Sequence, residues 1–144
     1  MSDTCTVLST LKRHGIRPTP TRRSVLHVFQ QAFCALSGSE IEGQLPADTD
    51  RITLYRTLRT FEEKTLIHRI VDYSETIRYA LCHAPTATVG LDHVHLKCVA
   101  CQRIFCLPQV AVPPIPASAQ YQVVRSDYLL SGVCTQCQPD HPAE

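Results

Sequence analysis

Residues 51–82, RITLYRTLRTFEEKTLIHRIVDYSETIRYALC, pass from a helical pattern to a strand pattern within one short stretch. Leu54, Leu58 and Phe61 recur at helical spacing, which predicts an amphipathic helix with its arginines off the buried face. LIHRIVDY (66–73) and TIRYALC (76–82) are then rich in β-formers, and the short polar turn between them favours a hairpin. Helices followed by such a hairpin are typical of a winged helix-turn-helix, in which the last helix enters the DNA major groove.

The chain on either side of this stretch fits a two-part organisation. Helices are predicted at TVLSTLKRHG (6–15), at TRRSVLHVFQQAF (21–33) and, after an N-cap at Ser37 or Ser39, in LSGSEIEGQL (36–45). HAPTATVGLD (83–92) has the small, polar composition of a linker, and HVHLKC (93–98), RIFCL (103–107) and YQVVRSDYLLSGVC (121–134) are predicted strands. We therefore expect an α+β chain, with a winged-helix DNA-binding domain at 1–82, a hinge at 83–92 and a small second domain at 93–144.

Composition narrows the classes of protein that the chain can belong to. Of the 144 residues, 44% are hydrophobic, enough for one ordinary core or two small ones. The net charge is only +1, yet residues 11–70 carry ten Lys/Arg against six Asp/Glu, which suits a polyanion partner or a solvated basic face. No apolar run approaches the roughly 18–20 residues of a membrane span, and no secretion signal is visible. We expect a cytoplasmic protein whose thiols stay reduced, with no membrane partner.

Two CxxC pairs give the most specific local signal. They can supply the closed set of four thiolates typical of a structural zinc, and a metal is physically expected in so small a second domain. A redox or disulfide role is the alternative interpretation. Cys5 and Cys34 lie outside every such pattern and are interpreted as structural or incidental. The predicted structural zinc ligands are Cys98, Cys101, Cys134 and Cys137.

A second metal site is predicted from residues outside that set. His93 and His95 alternate along a strand and so point to one face, where they can share an ion. Cys82 lies where the hairpin meets the linker, and Cys106 lies on the neighbouring strand. Each of these residues alone is more often structural, since a buried cysteine usually packs as a small hydrophobe. Together they predict an ion held between the two domains.

The ordered segments ITLYRTLRTFEEKTLIHRI (52–70), YALC (79–82), HVHLKCVAC (93–101) and GVCTQC (132–137) resemble the ferric uptake regulator family of bacterial metal-responsive repressors. The resemblance spans roughly residues 6–137. It implies a homodimer in which each winged-helix domain is joined to an α/β dimerisation and metal-binding domain. It also implies metal-dependent binding to an AT-rich palindromic operator in double-stranded DNA, with no small organic substrate.

The resemblance also assigns roles to individual residues. Tyr55 and Arg56 match the recognition-helix pair, and Arg17 matches a basic residue that reaches toward the minor groove. His68 joins Cys82, His93, His95 and Cys106 as candidates for sensing metal. Because these ligands come from both domains, the ion would fix the interdomain angle and so the spacing of the two recognition helices. The expected DNA contacts are Arg17, Arg22, Arg23, Thr53, Tyr55, Arg56 and Arg59.

Departures from the family pattern indicate the metal. Ala80 and Cys106 stand where carboxylates are expected, and Ser126 stands where a histidine often lies. The remaining donors are His and Cys, which favour Zn²⁺ over Fe²⁺ or Mn²⁺. The chain is therefore most similar to the zinc uptake regulators, with two Zn²⁺ expected per chain. A peroxide or thiol sensor, or a regulator answering to iron or manganese, is the alternative with the same architecture.

An enzyme is the rival from another class. A zinc hydrolase would use His93, His95 and Cys106 around an open water position. It lacks a general base, because Asp92 would point to the opposite face of the strand from His93. We therefore predict that the chain is not an enzyme.

Overall fold

The computed structural model describes residues 2–82, 93–110, 112, 116, 118–123 and 126–139, apart from the side chains of residues 2–4. The predicted hinge at 83–92 lies outside the described residues. We refer to residues 2–82 as the N-terminal unit and to the described part of 93–139 as the C-terminal unit. Across both units, none of the described helices has the length and apolar character needed to span a membrane.

The N-terminal unit confirms the predicted helices and hairpin. Its elements are α1 (Ser2–Arg13), α2 (Pro20–Gln31), β1 (Leu36–Ser37), α3 (Gly38–Glu42), α4 (Arg51–Glu63), β2 (Ile67–Val71) and β3 (Ile77–Leu81). The antiparallel sheet has the strand order β1-β3-β2, with Val71 opposite Ile77 where the hairpin turns. The short strand β1 was not predicted, because two residues are too few to leave a periodic signal.

Side-chain caps set where the helices begin. Thr19 accepts a hydrogen bond from the backbone N–H of Arg22 at the start of α2 (3.2 Å), with Pro20 in the first helical turn. Ser37, one of the two predicted caps, forms a capping box with Glu40: the Glu40 N–H donates to the Ser37 hydroxyl, and the Ser37 N–H to the Glu40 carboxylate. Each cap satisfies backbone donors that a helix start otherwise leaves without partners.

The core of the N-terminal unit fixes which face of α4 points to solvent. Leu54, Leu58 and Phe61 are fully buried, as the helical period predicts, and they belong to the main apolar cluster of the unit together with residues of α1 and α2. Burial of one stripe leaves the opposite side of α4 facing outward. Tyr55 and Arg56 lie on that outward side.

The C-terminal unit is built on one three-stranded sheet. Its strands are β4 (Val94–Cys98), β5 (Ile104–Leu107) and β6 (Tyr128–Gly132), in the order β5-β4-β6, with β4 antiparallel to β5 and parallel to β6. The strand predicted over 121–134 is confirmed only at 128–132. The helical part expected of this domain does not occur among its described residues.

The two units pack directly against each other. Ala35, Ile70 and Ala80 of the N-terminal unit form an apolar cluster with Ile104 of β5, which is fully buried. The backbone N–H of Ala35 donates to the carbonyl oxygen of Ile104 (2.8 Å), so a backbone hydrogen bond also joins the units. The outer face of the hairpin is therefore covered by the C-terminal unit.

Candidate metal centres and nucleic-acid interface

The four cysteines of the CxxC pairs meet at one edge of the C-terminal sheet. Cys98 ends β4, and Cys134 follows β6 by two residues. Because β4 and β6 are parallel neighbours, with Cys98 opposite Gly132, both CxxC turns emerge side by side. We call Cys98, Cys101, Cys134 and Cys137 the cysteine cluster; their sulfur atoms all lie within 4.8 Å of one another.

The spacing of the cysteine cluster fits a tetrahedral metal ion. The sulfurs of Cys101 and Cys134 are 3.9 Å apart. Zinc–sulfur bonds of about 2.3 Å at tetrahedral angles separate two sulfurs by about 3.8 Å. The sulfur of Cys98 also accepts backbone hydrogen bonds from the N–H groups of Cys101 (3.5 Å) and Cys134 (3.4 Å). A thiolate is thus supported at this position before any ion is bound.

The thiols of the cysteine cluster differ in pKa. The N–H groups of Cys134 and Cys101 lower the pKa of the Cys98 thiol to about 6. The pKa of the Cys137 thiol is instead raised to about 12, first by its side-chain hydrogen bond with Cys134 and then by burial. A cation bound among these sulfurs would have to displace the proton of Cys137, so its affinity would rise with pH.

A second cluster forms where the two units meet. His68 lies on β2 and Cys106 on β5. His93 comes just before β4, and His95 lies on that strand. We call these residues the mixed cluster; each offers one ligand atom, and these atoms lie within 4.8 Å of one another. His95 and Cys106 are directly opposite in the β4–β5 ladder, which brings them together without help from the N-terminal unit.

Distances in the mixed cluster also match a tetrahedral ion. The Nε2 atoms of His68 and His95 are 3.1 Å apart, and the Cys106 sulfur is 3.5 Å from His68 Nε2. Zinc bonds of about 2.0–2.1 Å to nitrogen and 2.3 Å to sulfur give tetrahedral edges of about 3.4 Å and 3.6 Å. His68 and His95 are buried, so an ion at this place would be shielded from water.

Cys82 contacts the opposite side of the His68 ring. Its sulfur is 3.6 Å from Nδ1, whereas the Cys106 sulfur and His95 approach Nε2. Cys82 is therefore outside the four-residue group, in the place of a partner that orients a metal-binding imidazole. Burial raises the pKa of the Cys82 thiol to about 11, and burial together with the charge of Cys82 raises that of Cys106 to about 12.

The outward face of α4 presents the predicted recognition residues. Tyr55 has 46% of its surface exposed, and its ring lies against Gly38, where a Cβ atom would come within 2.6 Å of the tyrosine hydroxyl. Thr53 is tied to the helix cap through its hydroxyl, which donates to Asp50 (2.8 Å). All of the predicted contacts on α4 are exposed: Thr53, Tyr55, Arg56 and Arg59.

The basic residues around α2 complete the predicted set. Arg17 and Arg23 are exposed, and Arg22 is half-buried with its guanidinium donating to the carbonyl oxygen of Arg17 (2.9 Å). Arg59 on α4 pairs with Glu63 (3.0 Å), with both side chains in solvent. A pair this exposed contributes little to stability and leaves the arginine available to another anion.

Sequence reasoning missed two features beside the mixed cluster. Lys97 of β4 and Asp72, which follows β2, form an ion pair between the units (2.7 Å). No local pattern in the sequence indicates this pair, because Asp72 and Lys97 lie in different units. Cys34, interpreted as structural or incidental, lines a cavity of about 450 Å³ between the units together with Cys106 and Phe33. Nothing local in the sequence indicates that contact.

Comparison with known proteins gives the same family over most of the chain. The model of the family described as "Ferric uptake regulator family" matches residues 13–125. The chain is 28% identical over 137 residues to the ferric uptake regulation protein of Synechococcus elongatus, with 89% of this chain and 90% of that protein covered. It is 25% identical over 138 residues to the peroxide operon regulator of Bacillus subtilis, with 90% of each covered.

Solved structures share the fold at lower sequence identity. A zinc uptake regulator in complex with zinc and DNA is similar with a TM-score of 0.66 and 18% identity, over 93% of this chain and 91% of that one. The ferric uptake regulator of Vibrio cholerae is similar with a TM-score of 0.59 and 20% identity, over 88% of this chain and 98% of that one. The chain thus has the α+β fold of a winged-helix domain followed by a dimerisation domain.

Proposed function

The chain belongs to the ferric uptake regulator family, and on this premise we propose that it is a zinc-responsive repressor that binds operator DNA as a homodimer. The family consists of metal-responsive transcription regulators, so a regulator rather than an enzyme is the coarse function. The observation that carries the proposal is the mixed cluster. It draws one ligand from the N-terminal unit, His68, and three from the C-terminal unit.

The donor atoms of the mixed cluster support zinc as the metal. Three imidazole nitrogens and one sulfur would hold the ion, and no carboxylate belongs to the group. Imidazole and thiolate are borderline-to-soft ligands that suit Zn²⁺, whereas Fe²⁺ and Mn²⁺ sites usually include oxygen donors. Ala80, at the position where the family pattern has a carboxylate, lies in the apolar cluster between the units and offers no ligand.

The position of the mixed cluster suggests how metal would control DNA binding. When bound, the ion supplies bonds that join the two units. His68 can reach His95 and Cys106 only in the docked arrangement, so ligation at these atoms favours that arrangement over any other. In a homodimer, the docked arrangement would set the separation of the two α4 helices, which must match the spacing of operator half-sites.

We assign the cysteine cluster a structural role. All four ligands come from the C-terminal unit, so an ion there would be insensitive to docking. The cluster would tie the end of β4 to the turn after β6, in a unit that buries few large side chains among its described residues. Each chain would then hold two Zn²⁺, one structural and one exchangeable.

DNA binding is assigned to α4 and the basic residues near α2. Arg56 and the other exposed arginines would contact phosphates, which makes the affinity fall steeply with salt. The exposed ring of Tyr55 would contact base edges such as the thymine methyl. We expect the operator to be AT-rich and palindromic, because two related recognition helices read two related half-sites.

A thiol-based peroxide sensor fits the site less well. Such a sensor needs a thiol that ionises easily and meets solvent, because the thiolate is the reactive form. Burial moves the pKa values of Cys82 and Cys106 in the opposite direction, to about 11 and about 12. Both thiols would be protonated at neutral pH and would react slowly with peroxide.

Metal counting combined with operator binding tests the proposal. Elemental analysis should find two zinc ions per chain, and mild chelation should remove one of them together with operator binding. Adding Zn²⁺ back should restore both. An Arg56→Ala variant serves as the matched control: it should keep both ions but lose affinity for every DNA sequence, with a salt slope smaller by about one.

Two results would count against this function. One is operator binding that persists unchanged after the exchangeable metal is removed. The other is restoration of binding by Fe²⁺ or Mn²⁺ but not by Zn²⁺, which would keep the architecture and replace the metal.

A further inference from the structure

Three strands present alternating side chains to the contact between the units. Neighbours two residues apart in a strand point to the same face, so each strand contributes a row rather than isolated residues. The rows are His68, Ile70 and Asp72 from β2 and its end; His93, His95 and Lys97 from β4 and its start; and Ile104 and Cys106 from β5.

The rows meet as three successive layers. The first layer is the mixed cluster, which His68 enters from β2. The second is apolar, and Ile70 and Ile104 belong to it as members of one buried cluster. The third is charged: Lys97 Nζ lies 2.7 Å from Asp72 Oδ2. Since Lys97 is directly opposite Ile104 in the β4–β5 ladder, the charged layer adjoins the apolar one.

The ion pair of the third layer is almost fully enclosed. The Asp72 side chain is 1% exposed and that of Lys97 is 15% exposed, whereas the Arg59–Glu63 pair on α4 lies in solvent. Asp72 also accepts hydrogen bonds from the backbone N–H (2.9 Å) and the hydroxyl of Ser74. Burial raises the pKa of the Asp72 carboxyl, but the bonds from Lys97 and Ser74 outweigh burial and lower it to about 2.

We propose that the Asp72–Lys97 ion pair is a positioning device that holds the two units in the docked arrangement before metal binds. It thereby sets the affinity of the mixed cluster for Zn²⁺. Among the described residues, the side chains of Asp72 and Lys97 form hydrogen bonds with Ser74 and with each other, not with the mixed cluster, so they act through the alignment of β2 against β4. This inference rests on the proposed function for its metal-affinity part only.

The physical basis is the difference between the docked and undocked states. With the units apart, both charges are hydrated; docking removes that water, and the charges then compensate each other, with further hydrogen bonds from Ser74 to Asp72. If one partner is removed, docking leaves the remaining charge buried without compensation. The docked population then falls, and the apparent metal affinity falls by the same fraction because only docked chains offer the complete ligand set.

Four variants test the ion pair. Lys97→Met leaves the Asp72 carboxylate without its partner, and Asp72→Asn leaves the lysine while keeping an acceptor for Ser74. The double variant Asp72→Asn with Lys97→Gln removes both charges. Lys64→Met, at an exposed lysine after α4, is the matched control.

Two readouts separate docking from metal binding. Hydrogen exchange of the Ala35 amide reports docking without exchangeable metal, because that amide donates to Ile104 of the other unit. Titration with Zn²⁺ against a competing chelator reports the affinity of the mixed cluster.

In Lys97→Met we expect at least tenfold loss of both Ala35 protection and Zn²⁺ affinity, with the zinc of the cysteine cluster retained. The double variant should recover only part of both losses, because it removes the uncompensated charge without restoring the attraction between Lys97 and Asp72, and Lys64→Met should match the wild type.

Several outcomes would overturn the proposal. Wild-type Ala35 protection in Lys97→Met would mean that the pair does not hold the units together. If Ala35 loses protection in Lys97→Met while Zn²⁺ affinity is unchanged, docking by the pair does not set the metal affinity. If Lys97→Met does not fold, the double variant is compared with Asp72→Asn instead. A double variant with no more Ala35 protection and no higher Zn²⁺ affinity than Asp72→Asn would show a merely structural role. A wild type without any exchangeable zinc would defeat the proposed function, while the exchange measurement at Ala35 would still decide the docking role.

Discussion

The cysteine cluster and the mixed cluster differ in where their ligands come from. The cysteine cluster takes all four sulfurs from two turns at one edge of one sheet. The mixed cluster takes its ligands from strands of both units, and it is complete only while those units are docked. On the proposed function, an ion in the first would stabilise a fold, and an ion in the second would select an arrangement of the units.

The two clusters also differ in the pKa values of their thiols. In the cysteine cluster, backbone N–H groups lower the pKa of Cys98 to about 6, so one thiolate is available at neutral pH, while the Cys137 thiol, with a pKa of about 12, must still lose its proton to a metal. Burial raises the pKa of Cys106 to about 12, so its thiol remains protonated until a metal displaces the proton. Tight retention is therefore expected in the cysteine cluster, and reversible binding in the mixed cluster.

The largest expected effect follows from breaking the cysteine cluster. Cys134→Ser should remove the chelator-resistant zinc and unfold the C-terminal unit, because ligation there contributes folding energy. Thermal unfolding and elemental analysis measure the effect. Cys5→Ser, at an exposed cysteine of α1 outside both clusters, should leave both values unchanged. A Cys134→Ser protein with wild-type zinc content and melting temperature would refute the structural assignment.

Replacing the sulfur of the mixed cluster should act on metal response alone. Cys106→Ser should weaken the exchangeable Zn²⁺ by more than about 100-fold, because a neutral hydroxyl replaces the only thiolate ligand. Operator binding should then cease to respond to zinc, while the cysteine cluster keeps its ion. Chelator competition and operator titration measure both. An unaltered zinc response would exclude Cys106 from the site.

Cys82→Ser should have a smaller effect than Cys106→Ser. Its sulfur contacts His68 Nδ1, on the far side of the ring from the other ligands, so the substitution loosens a ligand without removing one. Loss of such a supporting contact typically costs about 10- to 100-fold in metal affinity. Complete loss of exchangeable zinc, equal to that in Cys106→Ser, would instead make Cys82 a ligand.

The same contrast explains what the sequence alone could predict. The cysteine cluster follows from two CxxC spacings, because the chemistry of such a turn is local. The helices and the hairpin follow from periodicity at Leu54, Leu58 and Phe61 and from the β-rich runs that come after. The mixed cluster depends on docking between units, which a one-dimensional pattern does not contain. Sequence reasoning therefore gathered its candidates but could not separate Cys82 from the group of four.

The positions that escaped prediction share the same origin. Asp72 looks like an ordinary turn residue and Lys97 like a solvated strand residue until β2 and β4 face each other. The parallel pairing of β4 with β6 was also missed, because strands separated by a long connection leave no register signal in the chain. In each case the deciding information is long-range.

The smallest expected effect distinguishes a mixed cluster of four ligands from one in which Cys82 also binds the ion. The two differ in the number of protons released when the metal binds. With His68, His93, His95 and Cys106 as ligands, one thiol is ionised when Zn²⁺ binds near pH 8. Because the pKa of Cys106 is about 12, its proton is present beforehand and must leave. Apparent Zn²⁺ affinity should then rise about tenfold per pH unit between about pH 7.5 and 8.5.

The slope would be about 100-fold per pH unit if Cys82 were also a ligand, since its pKa of about 11 keeps it protonated as well. Chelator competition at several pH values in the wild type measures the slope, and Cys82→Ser supplies the matched control. The wild type and the control should give the same slope of one proton, although the control binds more weakly. If the slope in Cys82→Ser is smaller than in the wild type by one proton, Cys82 is itself a ligand of the ion and not a residue that supports His68.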